Sequence, residues 1–158
     1  MYFTETKRLR EYERLMQQPP CLRLKYIESE MNPMVFKNEK HQTAFEAAIG
    51  KGNEKNYTLL SALYLLTADG RLWNTAKKQI VRSGVCFERI RLPNCTEASY
   101  TLLCAAKDLC LGTKHITVSD LADADLIPPR QFALICNAMA IRRFGLRALK
   151  AIERYETE

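Results

Sequence analysis

The sequence has few residues that break or stiffen a chain. Its 158 residues include 6 glycines and 6 prolines, too few for a collagen-like or linker-like protein. The longest run without a charged residue extends only from Asn56 to Ala68 and is too short to cross a bilayer. The first residues are charged from Glu5 onward and contain no apolar core, so we expect no secretory signal. These absences favour a globular cytoplasmic protein without a membrane partner.

Residue patterns that carry catalysis are scarce as well. The chain has 2 histidines, no glycine-rich phosphate loop, no His-Glu-x-x-His motif and no nucleophile elbow. We expect His41 to be a partly buried helix residue and His115 to be a solvated residue of a polar connector. The acids Asp120, Asp123 and Asp125 are explained by stabilisation at the start of a helix, so we expect no metal and no cofactor. The sequence predicts a non-enzymatic protein, and an enzyme of unknown class is the third alternative.

The cysteines do not form a recognisable framework. There are 6 of them, which is an even number, but no two have the Cys-x-x-Cys spacing. Most of them lie in apolar or helical surroundings, and we predict that all are reduced, as in a cytoplasmic protein. The cysteines are Cys21, Cys86, Cys95, Cys104, Cys110 and Cys136.

Hydrophobic spacing predicts an all-α fold with six to eight helices and almost no sheet. The length fits a single domain over residues 1–158, in which residues 1–34 could form a peripheral N-terminal helical arm. Three segments, near residues 57–67, 97–111 and 129–143, are strongly apolar and are predicted to be central helices. The residues expected in the core are Leu60, Leu63, Leu102, Leu103, Ile135 and Met139.

The middle of the chain is less regular. We predict a basic helix from Arg71 to Ser83, with Gly84 as its C-terminal cap. Residues 85–92 have the composition of a strand, but a single strand has no evident partner, so we favour a connector over an edge strand. A last helix is predicted from Leu146 to about Tyr155.

Residues 117–135 form a motif-like segment, TVSDLADADLIPPRQFALI. The pairs Leu121-Ala122 and Pro129-Arg130 lie at the offsets found in AraC-type transcription regulators, and the segment resembles the helix-turn-helix of that family. The resemblance implies DNA binding through residues 117–143, with Arg130 and Gln131 near the start of the second helix.

The residue types of the second helix in this segment are unlike those of a DNA recognition helix. Asn137 is its one polar residue between positions 132 and 141, whereas a recognition helix needs a polar face toward the bases. Leu126 also occupies the turn position at which such motifs usually carry glycine. We therefore predict that this helix is buried, and DNA binding is the second alternative for the function.

A broader resemblance extends over three segments, FKNEKHQTAFEAAI, NYTLLSALYLLTADGRLW and NAMAIRRFG. Their order resembles a family of uncharacterised small helical proteins that conjugative and phage-like elements of gram-positive bacteria encode. The resemblance implies a mobile-element protein that binds a host component or maintains the element, rather than a metabolic enzyme. The matching positions are Phe36, Glu39, His41, Ala138, Ile141, Arg142 and Phe144.

Charge supplies the remaining signal. The net charge is +6, and two cation-rich segments, from Arg71 to Arg91 and from Leu126 to Glu158, account for the excess. Cations near helix C-termini are stabilised by the helix dipole, so a solvated helix face is one explanation. The functional explanation is an acidic partner, for which we predict a protein first and a nucleic acid second. The predicted basic face consists of Arg142, Arg143, Arg147, Lys150 and Arg154.

Overall fold

The computed structural model describes residues 35–82 and 84–149, which all belong to one compact unit. The predicted N-terminal arm at residues 1–34 lies outside the described residues, as do Lys150 and Arg154 of the predicted basic face. Most of the helix predicted after Leu146 lies outside them too. The single domain over the full length therefore stays a prediction.

Helices make up most of the described residues, and the predicted all-α class is confirmed. The sheet among the described residues is a hairpin of two strands with two residues each. In chain order the elements are α1 (Glu39–Ala48), α2 (Tyr57–Thr67), α3 (Gly70–Ala76), β1 (Ile80–Val81), β2 (Gly84–Val85), α4 (Glu97–Leu111), α5 (Val118–Ala122) and α6 (Pro129–Phe144).

The starts of the helices follow from short polar side chains in the sequence. Five helices have an N-cap residue whose side-chain oxygen accepts a hydrogen bond from a backbone N–H in the first turn. Each such cap pairs a donor that the helix leaves without an internal partner, which typically contributes about 1 kcal/mol. The cap residues are Asn38, Asn56, Asp69, Thr96 and Thr117.

Helix α2 is buried on every side. All residues from Leu59 to Thr67 are buried, and α1, α3, α4 and α6 pack around the helix. Its buried serine and threonine hydroxyl groups donate to carbonyl oxygens of the same helix, Ser61 to Thr58 and Thr67 to Leu63. Because the other side chains are apolar and the hydroxyl groups are hydrogen-bonded, burial of α2 leaves no side-chain hydroxyl group without a partner.

Helices α4 and α6 each bury one side and expose the other. The buried residues of α6 are Leu134, Ile135, Ala138 and Ile141, whereas Met139 is 47% exposed. Met139 lies roughly 100° around the helix axis from the centre of that buried stripe. The prediction that Met139 belongs to the core is therefore wrong, and Leu103 is half-buried rather than buried. The other four residues predicted for the core, Leu60, Leu63, Leu102 and Ile135, are buried.

The basic helix predicted from Arg71 to Ser83 is shorter than expected. Helix α3 ends at Ala76, a 3₁₀ turn follows at Lys77–Gln79, and the chain then enters β1. Strand β1 pairs with β2 in antiparallel register, with Ile80 opposite Val85. The predicted connector at residues 85–92 thus begins with a paired strand residue, because the partner strand lies directly upstream. Gly84 belongs to β2 and does not cap a helix.

Candidate interaction surface

The last turn of α6 exposes a mixed apolar and cationic surface. Arg142 and Arg143 are exposed, and Met139 lies one turn before them on the same side of the helix. Phe144 is 50% exposed, and the guanidinium carbon of Arg143 lies 5.5 Å from its ring centroid. Arg147 is exposed just beyond the helix end. Five residues, Met139, Arg142, Arg143, Phe144 and Arg147, surround the C-terminal end of α6, and we call them together the α6 basic face.

Gly145 fixes how the chain leaves α6. Its backbone has φ 72° and ψ −158°, a conformation that is essentially restricted to glycine, and its N–H donates to the Ile141 carbonyl over 2.8 Å. A Cβ atom at this position would lie 2.5 Å from Cε1 of Tyr57, the first residue of α2. The close approach of α2 therefore sets the position at which the helix ends and Arg147 follows.

The cations of the α6 basic face have no carboxylate partner in the described part of the chain. The ion pair found there joins His115 and Asp108, and no lysine or arginine takes part in one. Arg142 donates from Nε to the Leu109 carbonyl oxygen at the end of α4, over 3.4 Å. The helix dipole favours Arg142 and Arg143 in the last turn of α6, and no carboxylate of the described residues neutralises their charges.

The segment that resembles a helix-turn-helix contains two helices, α5 and α6, with six residues between them. At the start of α6, Arg130 is exposed and Gln131 is half-buried. Asp120 lies on α5, and Asp123 and Asp125 lie on the connection between α5 and α6. Their charge opposes the approach of a phosphate backbone to this end of α6.

His41 is buried rather than partly buried, with 1% of its surface exposed. Its Nδ1 accepts from the backbone N–H of Lys37 over 3.0 Å, so the ring proton lies on Nε2, which donates to the Tyr64 carbonyl over 2.7 Å. Burial lowers the pKa of His41 to about 4, against the opposing effect of the hydrogen bond to Tyr64. The imidazole is therefore neutral and fully engaged, and it has no free nitrogen for catalysis or for a metal.

Tyr64 joins three parts of the fold. Its hydroxyl donates to the Val35 carbonyl and accepts from Nδ2 of Asn137 in α6 over 3.1 Å. Its ring packs on His41, Phe45 and Phe36, with centroid separations of 4.8, 5.7 and 5.9 Å. Burial raises the pKa of Tyr64 to about 12. The hydrogen bond from Asn137 also explains why the apolar middle of α6 contains one amide.

Asp108 organises the connector after α4. Its carboxylate accepts from the Thr113 hydroxyl, from the backbone N–H and Nδ1 of His115, and from the Ile116 N–H, over 2.6 to 3.0 Å. Burial alone would raise the pKa of Asp108, but these hydrogen bonds outweigh it and lower the pKa. His115, expected to be a solvated residue, is an exposed partner of this carboxylate.

The thiols in the described part of the chain are free, and three of them lie in surroundings that disfavour the thiolate. Burial raises the pKa of Cys104, Cys110 and Cys136, which leaves them protonated at neutral pH. Among the described residues, no group of three His, Cys, Asp or Glu side chains is placed to hold a metal ion. Nor does the described part contain a helix long and apolar enough to cross a membrane.

Comparisons with family models, with curated proteins and with solved structures found no match for this chain. Sequence reasoning placed three members of the α6 basic face, Arg142, Arg143 and Arg147, as exposed cations near a helix end. It missed the apolar part of that face, because Met139 and Phe144 have the spacing of core residues and only packing shows which side of α6 is covered.

Proposed function

We propose that the protein is a non-enzymatic interaction protein that binds an acidic surface of a protein partner through the α6 basic face. The observation that supports this proposal is the combination of two exposed apolar side chains, Met139 and Phe144, with three arginines that have no carboxylate partner among the described residues. Methionine, aromatic residues and arginine are the types enriched at protein interfaces. Lys150 and Arg154 extend the proposed face in the sequence.

The balance of apolar and charged groups favours a protein over a nucleic acid at this face. Non-specific nucleic-acid binding depends on cations that replace counterions along the phosphates, and exposed Met139 and Phe144 would add little to it. At a protein interface, the same two side chains would bury apolar area while the arginines select acidic partners. The free thiols agree with a reducing compartment, and we place the protein in the cytoplasm.

Nucleic-acid binding is the second candidate, and exposed cations elsewhere favour it. Within the segment from Arg71 to Arg91 every lysine and arginine is exposed, and Arg130 is exposed at the start of α6. Such binding would follow charge rather than base sequence and would weaken steeply with salt. The cations of the segment are Arg71, Lys77, Lys78, Arg82, Arg89 and Arg91.

The test is recovery of partners by the tagged protein from its native host, with and without nuclease. We expect a protein partner whose recovery does not depend on nuclease treatment. Arg143→Glu and Arg147→Glu should reduce that recovery because each reverses a charge on the α6 basic face. Lys51→Glu is the matched control, since Lys51 is an exposed cation outside that face.

A selection from random DNA duplexes at about 150 mM salt distinguishes nucleic-acid binding from protein binding. We expect no enriched sequence motif, since the α6 basic face would not read base edges. Enrichment of a defined motif that is lost in Arg130→Ala would contradict the proposed protein binding and would favour a helix-turn-helix reader. Partner recovery that disappears with nuclease would contradict it as well.

A further inference from the structure

A groove of about 450 Å³ lies between the first half of α4 and the segment that runs from His115 to Ile127. Its size falls within the range of sites that bind small molecules or peptide side chains. It shares no residue with the α6 basic face, and nothing in the proposed function uses it.

The groove exposes apolar surface that the fold itself does not cover. Tyr100 on one wall is 59% exposed, and Leu126 on the other wall is 57% exposed. Ile127 is buried at the base, and Ile116 is half-buried beside it. Two large exposed side chains that face one concave surface are a mark of a binding groove rather than of scattered surface residues.

The charge of the groove is opposite to that of the chain as a whole. The protein carries a net charge of +6, yet the groove is lined by Glu97, Asp120 and Asp125 and by no lysine or arginine. Asp120 accepts from the Thr117 N–H through one oxygen in the capping box of α5. The carboxylates of Glu97 and Asp125 make no hydrogen bond or ion pair within the described ranges.

We propose that this groove binds a basic, amphipathic peptide segment of a partner protein. An apolar side chain of the segment would pack on Leu126 and Ile116, and an arginine or lysine would lie beside Glu97 and Asp125. The exposed Tyr100 ring offers the same cation a π face. Charge complementarity selects this occupant, because an acidic or neutral peptide would leave the carboxylates without a partner and gain only the apolar contacts.

The test uses two labelled, end-blocked hexapeptides, one of alternating leucine and arginine and one with glutamate in place of arginine. Fluorescence anisotropy with the full-length protein should show binding of the arginine peptide and at least about tenfold weaker binding of the glutamate peptide. Amide chemical shifts should move at residues 97–104 and 115–127. Equal binding of the two peptides, or shifts confined to other residues, would overturn the proposal.

Charge-neutral variants test the acidic wall. The double variant Glu97→Gln/Asp125→Asn should weaken the arginine peptide about fivefold to tenfold and should leave the thermal midpoint nearly unchanged, since both side chains are exposed. Glu88→Gln is the matched control, because Glu88 is an exposed acid outside the groove. An equal loss in the control, or no loss in the double variant, would contradict the assignment of this wall.

The apolar wall has its own matched pair. Leu126→Ser should weaken the arginine peptide, whereas Val118→Ser should not, because Val118 is 84% exposed but does not line the groove. A second copy of this chain is the competing occupant, since its α6 basic face is complementary in charge. Self-association in sedimentation that Arg143→Glu abolishes would assign the groove to that contact and overturn the proposal.

Discussion

Each buried polar side chain among residues 35–149 that the structure describes has a hydrogen-bond partner, and His41 is the clearest case. Its imidazole bonds to the backbone of Lys37, before α1, and to the carbonyl of Tyr64 in α2. Tyr64 lies 23 positions after His41 in the chain. A buried histidine with both nitrogens engaged stabilises the fold only in its neutral form. The same arrangement makes the stability of the protein depend on pH.

We predict that the free energy of unfolding falls as the pH is lowered from 6.5 to about 4. In that window the unfolded chain binds a proton at His41 and the folded chain does not, so acid favours unfolding by up to about 3 kcal/mol. Urea unfolding across the range measures the loss. His41→Gln should be less stable at pH 7.5 and should lack this part of the pH dependence.

Lys51→Gln is the control for that experiment, because it changes one exposed residue, leaves His41 in place and should retain the wild-type pH dependence. The interpretation of His41 as a neutral buried group would be wrong if His41→Gln kept the full slope between pH 6.5 and 4. Loss of the pH dependence of the free energy of unfolding in both His41→Gln and the control variant would also contradict that interpretation.

Two glycines with positive φ provide a test of close packing at the residue scale. Gly145 has φ 72° and ψ −158° and lies against the Tyr57 ring, whereas Gly112 has φ 69° and ψ 21° with open space around it. We predict that Gly145→Ala costs about 3 kcal/mol or more, through backbone strain and a clash with Tyr57. Gly112→Ala should cost about 1 kcal/mol, through backbone strain alone.

Urea unfolding of the two glycine variants measures the difference. Gly145→Ala should cost less stability in a Tyr57→Ala background than in the wild type, because the clash with the ring is then absent. Equal losses for Gly145→Ala and Gly112→Ala would show that the ring moves aside and that its contact does not constrain the end of α6.

At the scale of elements, α2 and α6 differ in how their apolar residues are used. Both segments are apolar in the sequence, but α2 is buried along its length and α6 exposes Met139 and Phe144. The contribution of a leucine or methionine side chain to the free energy of unfolding therefore depends on which helix it belongs to and which side of that helix it is on. The proposed function requires this difference, since the α6 basic face depends on apolar residues that the core does not use.

Truncation of one residue in each helix tests the difference. Leu63→Ala should cost about 2–5 kcal/mol, because Leu63 is fully buried in α2 and its truncation leaves a cavity. Met139→Ala should cost less than about 1 kcal/mol and should weaken partner binding instead. The measurements are chemical unfolding and partner recovery. A loss for Met139→Ala as large as for Leu63→Ala would place Met139 in the core and remove it from the α6 basic face.

At the scale of the whole molecule, the packing around α2 predicts a gradient of local stability. Four helices pack on α2, whereas α5 contains no fully buried residue and contacts the core through the half-buried Leu121. Amide hydrogen exchange should be slowest in α2 and should follow global unfolding there, because its hydrogen bonds open only when the surrounding helices separate. Exchange in α5 should be faster by orders of magnitude.

Hydrogen exchange detected by mass spectrometry or NMR measures this gradient. Comparable protection in α2 and α5 would show that residues 118–122 belong to the cooperative core, which would make the wall of the proposed acidic groove rigid. Addition of the arginine hexapeptide should slow exchange both at α5 and in α2, because a ligand that binds only the native state raises the free energy of local opening at the groove and of global unfolding.

Much of the architecture could be predicted from residues close together in the chain. The caps Asn38 and Thr96 each bond to a backbone N–H three residues onward, and the continuous apolar run of α2 excludes a surface position. The hairpin after α3 was missed because strands of two residues carry almost no periodic signal. For the candidate surface, the cations were predictable from the sequence and their apolar neighbours were not.

Residues close together in the chain specify the helical class, most helix starts and the burial of α2, because short-range hydrogen bonds and a continuous apolar run depend on neighbouring residues. Which side of α6 faces solvent, how His41 is bonded and where the acidic groove lies depend instead on tertiary contacts. Those features join residues far apart in the chain, as Asn137 and Tyr64 are at a separation of 73 positions. Whether such groups meet depends on how the helices pack, and no local pattern specifies that packing.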